Sequence, residues 1–211
     1  IADFAPITAL ATNEFVLVAN ATVPVRTFAE FLAYAKARPG KSSYGSAGVG
    51  TPNQLILEQL AQSANFSMVH VPYKGGAAAV ADLVGGQIDF MMAGLAPALP
   101  HIRVGKLTAL AVPQPRRSGA LPDVPTIGET LTGFATKSWF GLFAPRGVPP
   151  DIVTRLNREV RAVLEASDLR SKLAQQGLVA EASAPNDLAE MVRNDIARYR
   201  VLAKQLNIEA N

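Results

Sequence analysis

The chain has 211 residues, of which 49% are apolar and 18% charged, with a formal net charge of +3; that is enough for one large or two small domains around a sizeable core. It contains no cysteine, which excludes zinc fingers, thiol catalysis and a disulfide framework and is compatible with an oxidising compartment. The basic bias is spread along the chain with no cluster beyond Arg116-Arg117, so nucleic acid is not expected as a partner, and no apolar run reaches the ~18–20 residues that a membrane-spanning helix needs.

The first residues, Ile1-Ala2-Asp3-Phe4-Ala5-Pro6-Ile7, carry no initiator methionine and no charged leader and enter a strand pattern at once. They read as the middle of a protein, and an incomplete N-terminus is expected. Apolar runs at 7–11 and 15–19, separated by Thr12-Asn13-Glu14, predict two strands or one bent strand. Thr27 and Glu30 form a capping box, and Phe28, Phe31, Leu32 and Ala35 follow at helical spacing until Pro39-Gly40 stops the helix. A strand over 42–46 runs into a glycine-rich turn. The next helix starts at Thr51 and carries Ile56, Leu57, Leu60 and Ala64 on one face. A strand over 66–72 leads to a second glycine turn, Tyr73-Lys74-Gly75-Gly76, and an alanine-rich helix over 77–84 that Gly85-Gly86 ends. A strand over 88–93, a helix over 96–104 and a strand over 107–112 follow. This alternation argues for a mostly parallel α/β sheet.

Residues 113–137 change character, because Pro113, Pro115, Pro122, Pro125, Gly119 and Gly133 break regular structure. They predict a long loop of the kind that carries function. An aromatic strand, Ser138-Trp139-Phe140-Gly141-Leu142-Phe143-Ala144, comes next. From Pro149 the chain is mainly helical. Ile152, Leu156, Val160, Val163 and Leu164 make one apolar stripe. A short helix from Ser167 to Gly177 and a strand over 178–182 precede a last helix with its own stripe, Leu188, Met191, Val192, Ile196, Tyr199 and Leu202.

The stretch Tyr44-Gly45-Ser46-Ala47-Gly48-Val49-Gly50-Thr51-Pro52-Asn53-Gln54 carries the densest signal. Thr51 is placed as an N-cap, Pro52 at the first helical position and Gln54 three residues on, a capping box. The glycines permit a sharp turn and a close ligand, and free N–H groups at such a helix start attract anions. A plain strand–helix turn is the competing reading. The stretch is not a nucleophile elbow, which needs glycine where Tyr44 stands. It lacks the Gly-Lys-Ser/Thr of a Walker loop, and its glycines at 45, 48 and 50 miss the dinucleotide fingerprint. His70, in an apolar strand, reads as a core or strand-edge residue. His101 reads as surface. The two do not make a metal site. Asp82, Asp89 and Asp123 are too dispersed to argue acid–base work, and Asp89 reads as ordering a turn. Lys74 is either a solvated lysine or a neutraliser of an acid. Trp139 is either core or pocket wall.

Taken in order, Asp3-Phe4-Ala5-Pro6-Ile7, the stretch from Tyr44 to Thr51, Val71-Pro72-Tyr73-Lys74-Gly75, Gly86-Gln87-Ile88-Asp89, Leu121-Pro122-Asp123-Val124-Pro125-Thr126, Trp139-Phe140-Gly141-Leu142-Phe143-Ala144-Pro145 and Gly147-Val148-Pro149 form a pattern. It resembles the Bug family, the TctC-like solute receptors of tripartite tricarboxylate transporters, over essentially the whole chain. The resemblance implies an α/β fold of the periplasmic binding protein type II kind, with two lobes of mostly parallel sheet joined by crossing strands. Residues 14–137 would form one complete lobe, the second. Residues 1–13 and 138–211 would form part of the first, which lacks its N-terminal portion because family members are longer there.

The implied function is an extracytoplasmic, periplasmic receptor that traps a small organic acid between its lobes and delivers it to transporter subunits in the membrane or to a sensor. The implied ligand-binding residues are Ser46, Ala47, Gly48, Gly50 and Thr51, then Tyr73, Lys74 and Gly75, then Ala93 and Gly94, then Ser138, Trp139 and Phe140. No catalytic residue, cofactor or metal is expected. A partial lobe would expose apolar surface for a second copy of the chain to cover. Two other readings compete. One is a cytoplasmic effector-binding domain of a regulator, which shares the architecture. The other is an enzyme on this fold, which would need a convergent acid–base pair.

Overall fold

The computed structural model describes residues 3–205. In chain order the elements are β1 (Phe4–Asn13), β2 (Phe15–Asn20), α1 (Phe28–Ala37), β3 (Ser43–Ser46), α2 (Pro52–Ala64), β4 (Val69–Pro72), α3 (Gly76–Val84), β5 (Phe90–Gly94), α4 (Leu95–Arg103), β6 (Leu107–Ala111), β7 (Ser138–Pro145), α5 (Pro150–Glu165), α6 (Ser167–Gln175), β8 (Leu178–Ala180) and α7 (Pro185–Gln205). The described residues fall into two units, one of 14–137 and one of 3–13 with 138–205. The ends of the expected first-lobe set, residues 1–2 and 206–211, lie outside the described residues.

The unit of residues 14–137 is built on a five-stranded sheet in the order β4-β3-β5-β2-β6. Strand β3 is parallel to β4 and β5, whereas β2 is antiparallel to β5 and β6. Four of the five strands therefore share one direction and β2 alone opposes them. The residues of β2 explain its interior place between β5 and β6. All of Phe15–Asn20 is buried, as expected of a continuous apolar strand covered on both faces. Phe15, Leu17 and Ala19 join α1 and α2 in one core with Phe28, Phe31, Ile56, Leu57, Leu60, Phe90 and Met92. Val16 and Val18 point the other way and join α3 and α4 through Ala79, Val80, Leu83, Leu95 and Ala98.

Local chemistry starts and stops these helices. The Thr27–Glu30 capping box of α1 forms in both directions. Asn65, in the left-handed region at φ 54°, ends α2. Asn20, buried at the end of β2, donates from Nδ2 to the carbonyls of Leu83 (2.7 Å) and Val84 (3.3 Å). Its Oδ1 accepts from the backbone N–H and hydroxyl of Thr22 at 2.9 and 2.6 Å. It thus adds a donor to the Leu83 carbonyl, which also accepts the Gly86 N–H at 3.1 Å, and supplies one to Val84 at the end of α3. Asn20→Ala is expected to lower stability by about 1–3 kcal/mol, because a buried acceptor loses its donor. Urea unfolding followed by circular dichroism measures this.

Residues 113–137 are an ordered loop rather than a structureless one. Thr126 bridges Val112 in parallel fashion, and a turn of 3-10 helix, Ile127–Glu129, starts in a Thr126–Glu129 capping box. Arg117 clamps Glu129 with two bonds of 2.9 and 2.6 Å. The guanidinium, with the Thr126 N–H behind it, holds the Glu129 carboxyl down at about 2. The Asp89 side chain ties the start of β3 rather than the glycine turn before it: its Oδ2 accepts from the N–H and hydroxyl of Ser43 at 2.7 and 3.1 Å.

In the other unit the three strands lie in the order β7-β1-β8, and both pairs are antiparallel. A mostly parallel sheet is therefore not the rule here, because the partners of β1 arrive from the far end of the chain rather than through strand–helix–strand repeats. Helices α5 and α7 pack on β1. Irregular register on either side of Thr8 and Ala9 frees groups that Ser183 takes up. Thr8 Oγ1 donates to the Ser183 carbonyl at 3.0 Å and Ala9 N donates to Ser183 Oγ at 2.9 Å. Asn157 donates to both the Ile7 and Ser183 carbonyls at 2.8 Å. The apolar stripe of α5 does not become core as its periodicity suggests. Ile152, Leu156 and Val163 are exposed and Leu164 is buried, since no described element lies across that face.

Candidate functional site

Strands β4, β3 and β5 run parallel and adjacent, so their C-terminal ends share one sheet edge. Three connections leave that edge: residues 46–51 after β3, 73–75 after β4, and the direct step from Gly94 into α4 after β5. Ligands of open α/β sheets bind outside the carboxyl ends of the strands, and the N-termini of α2, α3 and α4 open at the same edge.

The 46–51 loop is held mainly by its own groups. Ser46 is fully buried; its hydroxyl donates to the Gly48 carbonyl at 3.0 Å and accepts the Gly48 N–H at 3.1 Å. The Gly48 carbonyl also accepts Thr51 Oγ1 at 2.7 Å and Thr51 N at 3.4 Å. The Gly50 N–H donates to Gln54 Oε1 at 2.7 Å. Gly48 sits at φ 137°, a conformation that L side chains rarely adopt.

Two expectations are corrected by this geometry. Thr51 is the N-cap residue by position but makes no side-chain cap bond; its hydroxyl turns back into the loop, and Gln54 reaches the N–H of Gly50 instead of that of Thr51. The capping box is therefore not formed, because the tight turn offers nearer partners to both side chains. The loop is also less bare toward an anion than its glycines suggest, since the N–H groups of Gly48 and Gly50 are used internally. Thr51→Ala is expected to cost about 1 kcal/mol through the lost bond to Gly48 rather than through a lost cap. Thr51→Ser should restore it, as read by urea unfolding.

The second turn hangs on the first. Tyr73 N donates to the Ser46 carbonyl and Gly75 N to the Ala47 carbonyl, both at 3.1 Å. The structure thus brings Ser46, Ala47, Gly48, Gly50, Thr51, Tyr73 and Gly75 together. The Tyr73 side chain is committed to α3, where its hydroxyl donates to Asp82 at 2.9 Å; burial and that carboxylate raise its pKa. Lys74 is exposed at the tip of the turn. Ala93 is fully buried, so the end of β5 can present main chain and Gly94 rather than the Ala93 methyl. Asn53 ties this end to the first loop by donating from Nδ2 to the Met92 carbonyl at 2.8 Å.

Under the loop lies His70, which its apolar strand predicts as a core or strand-edge residue. Strand β4 is the sheet edge, and His70 on it is half-buried. Its Nε2 lies 2.7 Å from Ser46 Oγ and its Nδ1 lies 3.3 Å from Gln54 Nε2. The ring stacks on Tyr44 with centroids 4.9 Å apart. Burial pushes the His70 pKa below its ordinary value. The Tyr44 hydroxyl donates to Glu58, and burial followed by that carboxylate pushes its pKa far up. In sequence, His70 and Tyr44 carry no sign of being neighbours; the parallel register of β3 and β4 pairs them.

The remaining expected residues belong to the other unit. Ser138, Trp139 and Phe140 open β7, opposite Asn13, Thr12 and Ala11 of β1. Trp139 Nε1 donates to Asp195 Oδ2 at 2.7 Å, and Arg198 holds the other oxygen of that carboxylate at 2.8 Å. Trp139, Phe4, Phe143 and Val192 line an apolar cavity of about 260 Å³ within this unit. Phe140 is exposed and Ser138 is half-buried.

The unit of residues 14–137 is an α/β fold whose turns gather at the carboxyl edge of a sheet, where ligands of open α/β sheets bind. The chain belongs to the tripartite tricarboxylate transporter family receptors (TctC), whose family model matches residues 1–208. It is 37% identical over 211 residues to a UPF0065 protein encoded in the tcbD-tcbE intergenic region of a Pseudomonas species, covering 99% of this chain and 63% of that protein. It resembles the solved structure of R. palustris Rpa4515 with adipate (33% identity, 96% of this chain and 68% of that one, TM-score 0.84). It also resembles MatC (Rpa3494) from Rhodopseudomonas palustris with bound malate (32% identity, 94% of this chain and 69% of that one, TM-score 0.80). The chain spans 61–63% of the length of the Pseudomonas relative and of two further curated ones.

Proposed function

We propose that this chain is the greater part of a periplasmic solute receptor for a small carboxylate, which it delivers to a tripartite tricarboxylate-type transporter or to a sensor. The observation that carries the reading is the meeting of the 46–51 and 73–75 turns at the carboxyl edge of the sheet, in a chain whose relatives hold adipate and malate. The ligand carboxylate would meet the main chain and small side chains from Ser46 to Thr51, with Lys74, Gly75 and Gly94 beside it. Ser138, Trp139 and Phe140 would serve from the other lobe. Residues 14–137 would be the complete lobe. Such a receptor signals because the ligand favours the closed arrangement of its lobes by the extra contacts made there.

Calorimetric titration of the full-length gene product with C4–C6 dicarboxylates, amino acids and aromatic acids tests the proposal. Saturable binding of at least one of these acids, with the acid recovered unchanged, is expected. Turnover of the ligand, or no binding of any of them, would overturn it.

A further inference from the structure

We propose that His70 is a positioning residue that holds the 46–51 loop in its binding form only while the imidazole is neutral, so that proton uptake by the ring releases the loop and its ligand. The inference rests on the preceding reading of that loop as ligand-bearing.

The chain of donors and acceptors has one consistent assignment. The Gly50 N–H donates to Gln54 Oε1 at 2.7 Å, which fixes the amide and turns Nε2, a donor, toward His70 Nδ1 at 3.3 Å. Nδ1 must then be an unprotonated acceptor, so the proton sits on Nε2 and donates to Ser46 Oγ at 2.7 Å. Ser46 passes its own proton to the Gly48 carbonyl and accepts the Gly48 N–H. Every hydrogen in the chain is assigned from the neutral ring outward.

Adding a second proton puts an Nδ1–H against the Gln54 NH2. Flipping the amide relieves that contact but sets its NH2 against the Gly50 N–H, so one donor–donor clash remains in either orientation. The groups facing the ring do not offset the new charge at close range. Strand β3 presents the Tyr44 ring, and α2 presents Gln54 and, on the far side of the Tyr44 hydroxyl, Glu58. Strand β4, which carries His70, has β3 as its strand neighbour in the sheet.

The ring is harder to protonate in the folded protein than in the unfolded chain, so below the unfolded pKa the unfolded chain binds more protons. Stability from this group is present above the ordinary imidazole value and is lost as pH falls through the folded pKa. Ligand affinity should fall in the same direction, by about tenfold per pH unit below the ring's midpoint when one proton opposes binding.

The test uses the full-length protein and two variants. In wild type, the His70 ring resonances and the backbone amides of Gly48 and Gly50 should titrate together in NMR between pH 7.5 and 4.5. His70→Gln keeps a donor near the Nε2 position and cannot titrate there. Its Gly48 and Gly50 amides should stay still, and its adipate and malate affinities should be lower than wild type at pH 7.5, because Gln54 loses the Nδ1 acceptor. At acid pH they should fall less than in wild type; the ligands' own titration is common to both proteins and cancels. Gln54→Glu offers a carboxylate to both Gly50 N–H and a protonated Nδ1, so it should raise the ring's midpoint and keep the loop at acid pH. A His70 titration that leaves the two amides unmoved overturns the inference, as does amide titration that persists in His70→Gln. If no acid of the calorimetric panel binds at pH 7.5, the carboxylate reading fails, while the NMR titrations still decide the coupling of His70 to the loop.

Discussion

Phe31→Ala should destabilise the unit of residues 14–137 by about 3–5 kcal/mol, the range for removing a large aromatic from a packed core. Phe31 has 0% exposure and meets three other rings. Phe28 is stacked at 6.0 Å, while Phe66 at 5.4 Å and Phe90 at 5.0 Å meet it edge-on. The ring joins α1 to β5 and to the segment before β4, so collapse around the cavity would have to move several elements at once, and little relaxation is available. The measurement is the urea midpoint of the variant against wild type. A loss under about 1 kcal/mol would mean that this aromatic cluster is not the centre of the core.

Gly48→Ala should have the largest effect on binding. At φ 137° the residue is in a conformation that a β-carbon disfavours, and the nearest atom that the new methyl would meet is the Tyr73 carbonyl oxygen at 3.4 Å. The contact is ordinary, so the cost lies in backbone strain, about 1–3 kcal/mol. Relief of that strain would require Gly48 to turn, and its N–H and carbonyl hold Ser46 and Thr51 in place. Stability should fall by the strain energy, and affinity for a dicarboxylate by tenfold or more, since each 1.4 kcal/mol of misplacement is about tenfold. Gly40 also has positive φ, with nothing within 4 Å of an added methyl, and lies outside the loop. Gly40→Ala should show the strain without the loss of affinity, and equal losses at both positions would remove the 46–51 loop from the binding site.

Local signals in this chain were sound where a side chain acts on its own neighbourhood. Thr27 and Glu30 cap α1 as their spacing requires. The apolar faces of α1 and α2 are buried where periodicity puts them. The same reasoning failed at Thr51 and Gln54, whose spacing is equally good, because the glycine turn before them folds back far enough to offer closer partners. It failed again at Ile152, Leu156 and Val163, since an apolar stripe states a need for cover and not what supplies it.

Residue type and spacing were enough to establish the α/β character, the apolar β2 run, the glycine turns and, through the ordered motifs, the family. Those properties depend on interactions within a few turns of chain. Folding in three dimensions was needed to set β2 against its neighbours, to join the turns after β3 and β4 by two main-chain bonds, and to lay His70 against Ser46 and Gln54. These depend on strand order and register, which bring together groups separated by 16 and 24 residues. No local pattern encodes such a distance, so a histidine that looks inert in its strand becomes the support of a loop.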